Sequence, residues 1–314
     1  MTASRALSGG GYASAAARAR VEAAAREIGS RTNSIARALV QGATRSIGLV
    51  VSDVENPFFA SAARAIADVL EARGYTLLLT NSDEDPEREA RLVEALQGRQ
   101  CDGLIVAPSA GAHPHLVRAV ADGLVLVQLD RAVRGLRADA VLVDNAHGAI
   151  VAVEHLAALG HRRIACVSDP VALGSARERV SGYRRAARRL GLAEQVVEAD
   201  GVTQEDGRKA TLRALALQPT AIFTSSNFMT AGALHAIRER RLAVPADVAL
   251  IGFDDLDWTT LVDPPVTVVA QPVAELGRRA ALLLLGRLDG DTSPPRRVRL
   301  TTTLVVRRSC GESR

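Results

Sequence analysis

The sequence predicts an α/β protein: two doubly wound parallel-sheet lobes, preceded by a basic all-α segment. Apolar strand-like runs alternate with single helical stretches from residue 46 to about residue 255, which favours parallel sheets covered by helices on both faces. The strand-like runs are continuously apolar, as expected for strands buried on both faces. Each half of this region holds four or five strand–helix units, too many for one sheet, so two lobes are expected.

The N-terminal segment is basic and has a helical pattern. Residues 1–46 contain seven arginines and two glutamates, a net charge of +5; because the whole chain carries +4, the other 268 residues carry −1. An Ala-rich helix is predicted over residues 14–29 and a second, short one over Asn33–Gln41. The short helix is too short to be stable alone in water. A disordered linker over the same residues in the free protein is the alternative, and it is compatible with a helix that forms on DNA. The basic charge of residues 1–46 favours a polyanion as partner. The apolar side chain of Leu39, on the short helix, is able to insert between base steps in a DNA minor groove.

The first half of the body begins with strands and helices in strict alternation. Apolar residues from Phe59 to Leu70 follow helical spacing. Pro86 stands in the first turn of the next predicted helix, with acidic residues ahead of it, and a third helix is predicted around residues 113–122. The predicted strands of this half are 47–53, 76–82, 103–109, 124–130 and 141–145.

The second half continues the same alternation after a division near residues 144–148. Its first helix begins near His147 and ends at Gly160, a residue that commonly terminates helices. Further helical stretches separate the later strands. The predicted strands of this half are 163–169, 195–200, 221–226 and 248–255.

Composition and missing motifs exclude several classes of protein. No apolar run reaches the ~18 residues that a membrane-spanning helix needs, and the N-terminus does not read as a signal peptide. Three widely spaced cysteines predict a reducing, cytoplasmic setting without disulfides. No dinucleotide-binding loop, phosphate-binding loop, nucleophile elbow or zinc-protease motif occurs. The histidines lack ligand spacing, and His113 and His115 are predicted to be surface residues. We therefore expect no enzyme, metal site or cofactor.

Polar residues gather where the predicted strands end. Ligands bind at the carboxyl ends of parallel strands, so facing ends of two lobes would line one cleft. Within Asn56–Phe59, two aromatic rings are available to stack on an apolar ligand face; core packing is the alternative. Asp130 and Arg131 end a strand and are able to accept from and donate to hydroxyl groups; an ion pair between the lobes is the alternative.

Two further groups complete this expected cleft. Arg177 and Arg179 open a helix and favour anionic or polyhydroxyl ligands, although side chains two residues apart point different ways. A solvated basic face is the alternative. Asn227, Asp254 and Gln271 stand at or near strand ends, where amides and a carboxylate form a hydrogen-bonding pocket suited to sugars or nucleosides.

With these residues in place, the chain resembles the lactose/galactose-repressor (LacI) family of bacterial transcription regulators over nearly its full length. The resemblance rests on segments such as NPFF, NSDEDPEREARLVEAL, ARERVSGYR and VPADVALIGFDD. It implies a helix-turn-helix head, a hinge helix, and a periplasmic-binding-protein-like core that dimerises and binds an effector between its lobes. The expected function is an effector-responsive repressor with operator DNA and a sugar or related polyol as partners. A sensor module without DNA binding is the alternative.

The resemblance also implies residue roles and domain bounds. DNA contacts are expected at Thr2, Ser4, Arg5, Asn33, Ala36 and Leu39. Effector contacts are expected at Asn56, Phe58, Phe59, Asp130, Arg131, Arg177, Arg179, Asn227, Phe253, Asp254 and Gln271. The implied bounds are a partial head at 1–31, a hinge at 32–45, an N-terminal lobe at 46–144 plus 271–300, a C-terminal lobe at 145–270 plus 301–308, and a tail at 309–314.

The chain departs from the family pattern at three places. The first helix of the head is expected upstream of Met1, so the head reads as N-terminally truncated. Thr32 stands where the family usually has proline, which loosens the entry to the hinge helix. Phe228 follows Asn227 where the family usually has aspartate, which removes a carboxylate near the pocket.

Overall fold

A computed structural model describes residues 44–311, which form two α/β lobes. The six positions expected to contact DNA lie outside these residues, as does the predicted hinge helix. The first lobe contains β1 (Ser46–Val51), α1 (Pro57–Glu71), β2 (Thr76–Asn81), α2 (Pro86–Gly98), β3 (Gly103–Val106), α3 (Pro114–Ala121), β4 (Val125–Asp130), β5 (Asp139–Val143), α9 (Val273–Leu288) and β11 (Arg297–Leu300).

The second lobe repeats the architecture of the first. It contains α4 (Asn145–Ala158), β6 (Ile164–Ser168), α5 (Gly174–Arg189), β7 (Gln195–Glu198), α6 (Gln204–Leu215), β8 (Ala221–Thr224), α7 (Asn227–Glu239), β9 (Ala249–Phe253), α8 (Trp258–Leu261), β10 (Thr267–Ala270) and β12 (Thr303–Val305).

Each lobe is built on one six-stranded sheet. The first sheet has the order β11-β5-β4-β3-β1-β2 and is parallel throughout. The second has the order β12-β10-β9-β8-β6-β7 and is parallel except for β12, which runs antiparallel to β10. The predicted fold class of two doubly wound parallel-sheet lobes is therefore confirmed.

The chain passes between the lobes three times within the described residues: after β5, after β10, and between β11 and β12. The residue-level domain bounds stay a prediction. The sequence pattern did not assign the elements beyond Asp255, among them α9, which packs against α1 and beneath β4 in the first lobe.

Local capping chemistry places the first helices at the carboxyl edge of the first sheet. The side chain of Asn56 accepts a hydrogen bond from the Phe58 amide at 3.1 Å, and Pro57 occupies the first helical position of α1. Asp85 and Pro86 begin α2 in the same way. Such caps satisfy amides that have no partner within the helix. They hold both helix starts, and the residues just before them, beside the second lobe.

Two expectations about side chains have different outcomes. Cys101, Cys166 and Cys310 are buried free thiols. The prediction that His113 and His115 are surface residues is wrong, because both pack around the fully buried Glu89. In the described part of the chain, no helix is both long and apolar enough to cross a membrane.

Candidate functional site

A cavity with ≈ 60 Å³ of free volume lies between the lobes, at the carboxyl ends of the strands of both sheets. Both lobes contribute to its wall, so their relative position decides its shape. The lining residues are Ser52, Asp53, Asn56, Phe58, Phe59, Glu84, Asp130 and Arg131 from the first lobe, Asp169, Leu173, Ser175, Ala176, Arg179, Val202, Ser226, Phe228 and Asp254 from the second, and Gln271 at a crossing.

Asp130 and Arg131 form the acidic and basic corner of the first lobe. Arg131 donates through Nη1 to Glu84 Oε2 at 2.8 Å and to the Pro108 carbonyl at 3.1 Å. Asp130 has a positive φ of 64°, and its Oδ1 has no hydrogen-bond partner among the described residues. Burial raises the pKa of Asp130, although Arg131 and Arg179 oppose this. The corner therefore offers a buried acceptor to a ligand.

Arg179 is the corresponding fixed cation of the second lobe. Its Nε donates to Asn145 Oδ1 at 2.8 Å, and its Nη1 donates to the Ser225 carbonyl at 2.5 Å. The guanidinium lies 3.8 Å from the centre of the Phe253 ring, at cation–π distance. Phe253 is thus beneath Arg179 and outside the cavity wall. Its role is to orient the cation.

A second carboxylate, Asp169, faces the cavity from the end of β6. The hydroxyl groups of Ser225 and Ser226 donate to its two oxygens at 2.5 and 3.0 Å. Burial raises the pKa of Asp169, against the lowering effect of the Ser225 hydrogen bond and of Arg179. The predicted site omitted Asp169, although it follows a buried strand just as Asp130 does. That shared position was the available signal.

Asp254 organises the seam between the lobes. Its Oδ2 accepts from the backbone amide and the Nδ2 of Asn227 at 3.1 and 3.0 Å, and its Oδ1 accepts from Gln271 Nε2 at 2.5 Å. Asn227 Nδ2 also donates to Asn56 Oδ1 at 3.1 Å, which joins the second lobe to the first. Gln271 Oε1 has no partner among the described residues.

The structure brings together most of the side chains that were expected to bind an effector. The cavity wall includes Asn56, Phe58, Phe59, Asp130, Arg131, Arg179, Asp254 and Gln271. Asn227 is buried behind Asp254 and reaches the site through its hydrogen bonds to Asp254 and Asn56. The two phenylalanine rings meet edge to face at 5.0 Å and are part of the first lobe's core. Core packing is therefore shown, and stacking on a ligand stays a prediction.

Arg177 is a correction to the predicted site. It is exposed, and its Nη1 donates to the carbonyls of Val171 and Ala172 at 3.2 and 3.4 Å, outside the cavity wall. Residues two apart on a helix lie on different faces, so when Arg179 turns inward Arg177 turns outward. It stabilises the loop before α5.

Phe228 lines the cavity at the position where the family pattern has aspartate. The wall there is apolar. With the rings of Phe58 and Phe59, it places hydrophobic surface beside the carboxylates and guanidinium groups. Such a mixture suits a ligand with hydroxyl groups on its edges and C–H bonds on its faces.

A larger groove of ≈ 710 Å³ lies elsewhere, on the second lobe. All of its lining residues fall between Gln204 and Pro264, so the first lobe does not contribute to it. Its wall includes Leu234, Trp258 and Val262. Although it is larger, it lacks the concentration of buried acids and arginines that marks the cavity between the lobes.

Comparisons with known proteins agree with this architecture. Residues 153–310 match the family described as periplasmic binding protein-like domain. The HTH-type transcriptional repressor CytR of Escherichia coli is 33% identical over 294 residues, 92% of this chain and 86% of CytR. The solved lac repressor dimer bound to operator and the anti-inducer ONPF has a TM-score of 0.88 at 25% identity, covering 99% of this chain and 95% of that one. A LacI family regulator from Enterococcus faecium with bound ribose has a TM-score of 0.78 at 27% identity, covering 85% and 98%.

Proposed function

The chain belongs to the lactose/galactose-repressor (LacI) family of transcription regulators, and on that premise we propose that it is a repressor whose operator binding responds to a monosaccharide-sized polyol. Its partners would be operator DNA, this effector and a second copy of the chain. The protein would act in the cytoplasm as a regulator and would not be an enzyme. Whether the effector weakens or strengthens DNA binding is decided by which lobe arrangement it favours.

One observation supports the effector assignment: three residues of the cavity wall have buried polar atoms without hydrogen-bond partners among the described residues. Ser52 Oγ, Asp130 Oδ1 and Gln271 Oε1 are inaccessible to solvent and have no hydrogen-bond partner among residues 44–311. Burying such atoms unpaired costs free energy that a bound polyol would return. Fixed donors and acceptors from both lobes, combined with three phenylalanine rings, match the chemistry of a sugar rather than that of a purely apolar ligand.

The cavity between the lobes is smaller than a sugar. Its free volume of ≈ 60 Å³ is small beside the roughly 300–1,000 Å³ typical of drug-sized ligand sites. The mixture of polar groups and aromatic rings in its wall favours a pentose, hexose or related polyol, for which the lobes must make room. The ligand would enter by separation of the lobes, which breaks the hydrogen bond between Asn56 and Asn227. Closure around the ligand would then couple the cavity to the DNA-binding end.

The DNA contacts are inferred from the family pattern alone. Thr2, Ser4 and Arg5 are proposed to read the major groove, Asn33 and Ala36 to position the hinge helix, and Leu39 to enter the minor groove. The basic charge of residues 1–46 supports this assignment.

A two-step experiment tests the function. The first step is a thermal-shift screen of pentoses, hexoses, sugar phosphates and nucleosides, with ribose as the first compound. The second is a mobility-shift assay of the chain on DNA flanking its own gene, at several salt concentrations, with and without the compound that stabilises it. We expect one class of small polyol to raise the melting temperature and to change the salt-sensitive DNA shift. A stabilising sugar with no sequence-selective DNA binding would instead support the sensor module.

A further inference from the structure

Glu89, His113 and His115 form a compact cluster in the first lobe, outside the effector cavity. Glu89 lies in the first turns of α2 and is 0% exposed. Its Oε1 stands 2.9 Å from His113 Nδ1 and 2.7 Å from His115 Nε2. The histidines stand at the start of α3, one as its N-cap and the other in its first turn. The starts of α2 and α3 thus bring together three side chains of the kinds that bind metal ions.

Among the described residues, the carboxylate of Glu89 has no lysine or arginine partner. A buried carboxylate normally has a lysine or arginine partner, because burial of an unpaired charge is costly. Within the described residues, the ion pairs of Glu89 involve only the two imidazoles, and its other oxygen accepts from the Ser109 amide at 2.6 Å. The side-chain partners of this carboxylate are therefore two imidazoles, the side chains that most often bind transition metals in proteins, and a divalent cation between them would neutralise the carboxylate.

The donor set indicates which cation. Two imidazole nitrogens and one carboxylate oxygen are the ligands of zinc sites that keep a fourth position open. The three ligand atoms here lie within 4.8 Å of one another. Zinc–ligand bonds of about 2.0–2.2 Å in a tetrahedral arrangement separate the ligand atoms by roughly 3.3 Å, so small side-chain rotations are sufficient.

We propose that Glu89, His113 and His115 bind a divalent transition metal of the zinc class. The site is connected to the effector cavity. Glu89 holds the Ser109 amide, and the preceding residue, Pro108, accepts through its carbonyl from Arg131 in the cavity wall. An occupied site would therefore fix the loop that supports Arg131.

The test uses the full chain after treatment with a chelator and dialysis. Zn²⁺ is titrated in competition with a chromophoric chelator, and Co²⁺ is titrated separately because tetrahedral Co²⁺ absorbs visible light strongly. We expect one competitive equivalent per chain and a rise in melting temperature on adding Zn²⁺, since a ligand of the native state stabilises it. Neither readout uses a sugar or DNA, so the result is independent of the proposed function.

Matched variants distinguish a metal site from a cluster that is held together by hydrogen bonds alone. Glu89→Gln and His115→Gln should each weaken Zn²⁺ binding at least about tenfold, as loss of even a supporting residue does at metal sites. His147→Gln, at an exposed histidine, should leave it unchanged. His115 is the least buried of the three side chains, so its variant remains informative if Glu89→Gln fails to fold. Absence of stoichiometric binding, or equal binding by wild type and His115→Gln, would overturn the proposal.

Discussion

Replacing Asp130 by asparagine should separate effector binding from folding. The substitution keeps the size of the side chain, and asparagine tolerates the positive φ of 64° found at this position. It removes the negative charge at Oδ1, the buried acceptor with no partner among the described residues. If that oxygen accepts from an effector hydroxyl, the loss should appear in the dissociation constant.

The expected magnitude derives from the value of a hydrogen bond to a charged group. Such bonds contribute about 1.5–3 kcal/mol, so the dissociation constant of the effector should rise by roughly 10–150-fold. Folding should respond differently. Because burial raises the pKa of Asp130, the charged form is disfavoured in the folded protein, and asparagine should stabilise the unliganded protein slightly or leave it unchanged near pH 7.

The pH dependence gives a second, independent signature. A carboxyl with a raised pKa binds more protons in the folded state than in the unfolded state, so it lowers stability as the pH rises. The loss begins near the unfolded value of about 3.9 and is complete above the raised pKa. Urea denaturation at a series of pH values should therefore show wild type losing stability relative to Asp130→Asn as the pH increases.

Asp139 provides the matched control. It is another buried carboxylate of the first lobe, but it accepts from Arg287 Nε and Nη2 at 2.7 and 2.8 Å and does not line the cavity. Asp139→Asn should reduce the free energy of unfolding by about 1.5–3 kcal/mol without changing effector affinity. Calorimetric titration with the sugar found in the screen measures both variants. Unchanged affinity in Asp130→Asn, or equal losses of affinity in both, would refute the reasoning.

Two further predictions concern packing and assembly. In α9, a Cβ on Gly277 would lie 2.5 Å from the Ala62 carbonyl, whereas one on Gly286 would meet open space. Gly277→Ala should therefore lower the free energy of unfolding by about 1–3 kcal/mol, and Gly286→Ala should raise it by about 0.5–1 kcal/mol. Urea denaturation measures both changes, and an undiminished stability of Gly277→Ala would contradict the close approach of α9 and α1. Leu261 is 82% exposed and precedes Val262, a lining residue of the large groove of the second lobe. We expect this side chain to lie in the dimer interface, so Leu261→Asp should shift the dimer toward monomer in sedimentation velocity. An unaltered dimer would place the interface elsewhere.

Much of the fold was predictable because it depends on local patterns. Continuous apolar runs separated by helical stretches predicted buried parallel strands, and β1, β4 and β6 lie within one or two residues of the predicted bounds. Helix starts were also readable, since Pro57 and Pro86 occupy first-turn positions after capping side chains. The region beyond Asp255 was not assigned as separate elements, because its helices and strands complete both lobes across long sequence distances.

The candidate site was predictable in part for the same reason. Parallel strands place their carboxyl ends on one edge, so Asp130 and Asp254 could be expected near a common cleft. The sequence did not show which of two nearby arginines, Arg177 or Arg179, faces the cavity. Arg179 faces inward and Arg177 outward because the phase of α5 about its axis is set by packing. Asp169 obeys the same strand-end rule, and only the contacts with Ser225 and Ser226 distinguish it from other acids.

The sequence by itself therefore determined the α/β class, the two lobes, the edges at which polar residues collect, and the resemblance to a repressor family. Tertiary structure alone decided which side chains meet: the Asn56–Asn227 bond between lobes, the stacking of Arg179 on Phe253, and the burial of His113 and His115 around Glu89. The physical reason is that hydrophobic spacing and helix capping involve residues only a few positions apart in the sequence. Contacts between lobes and between helix starts depend instead on how whole elements pack.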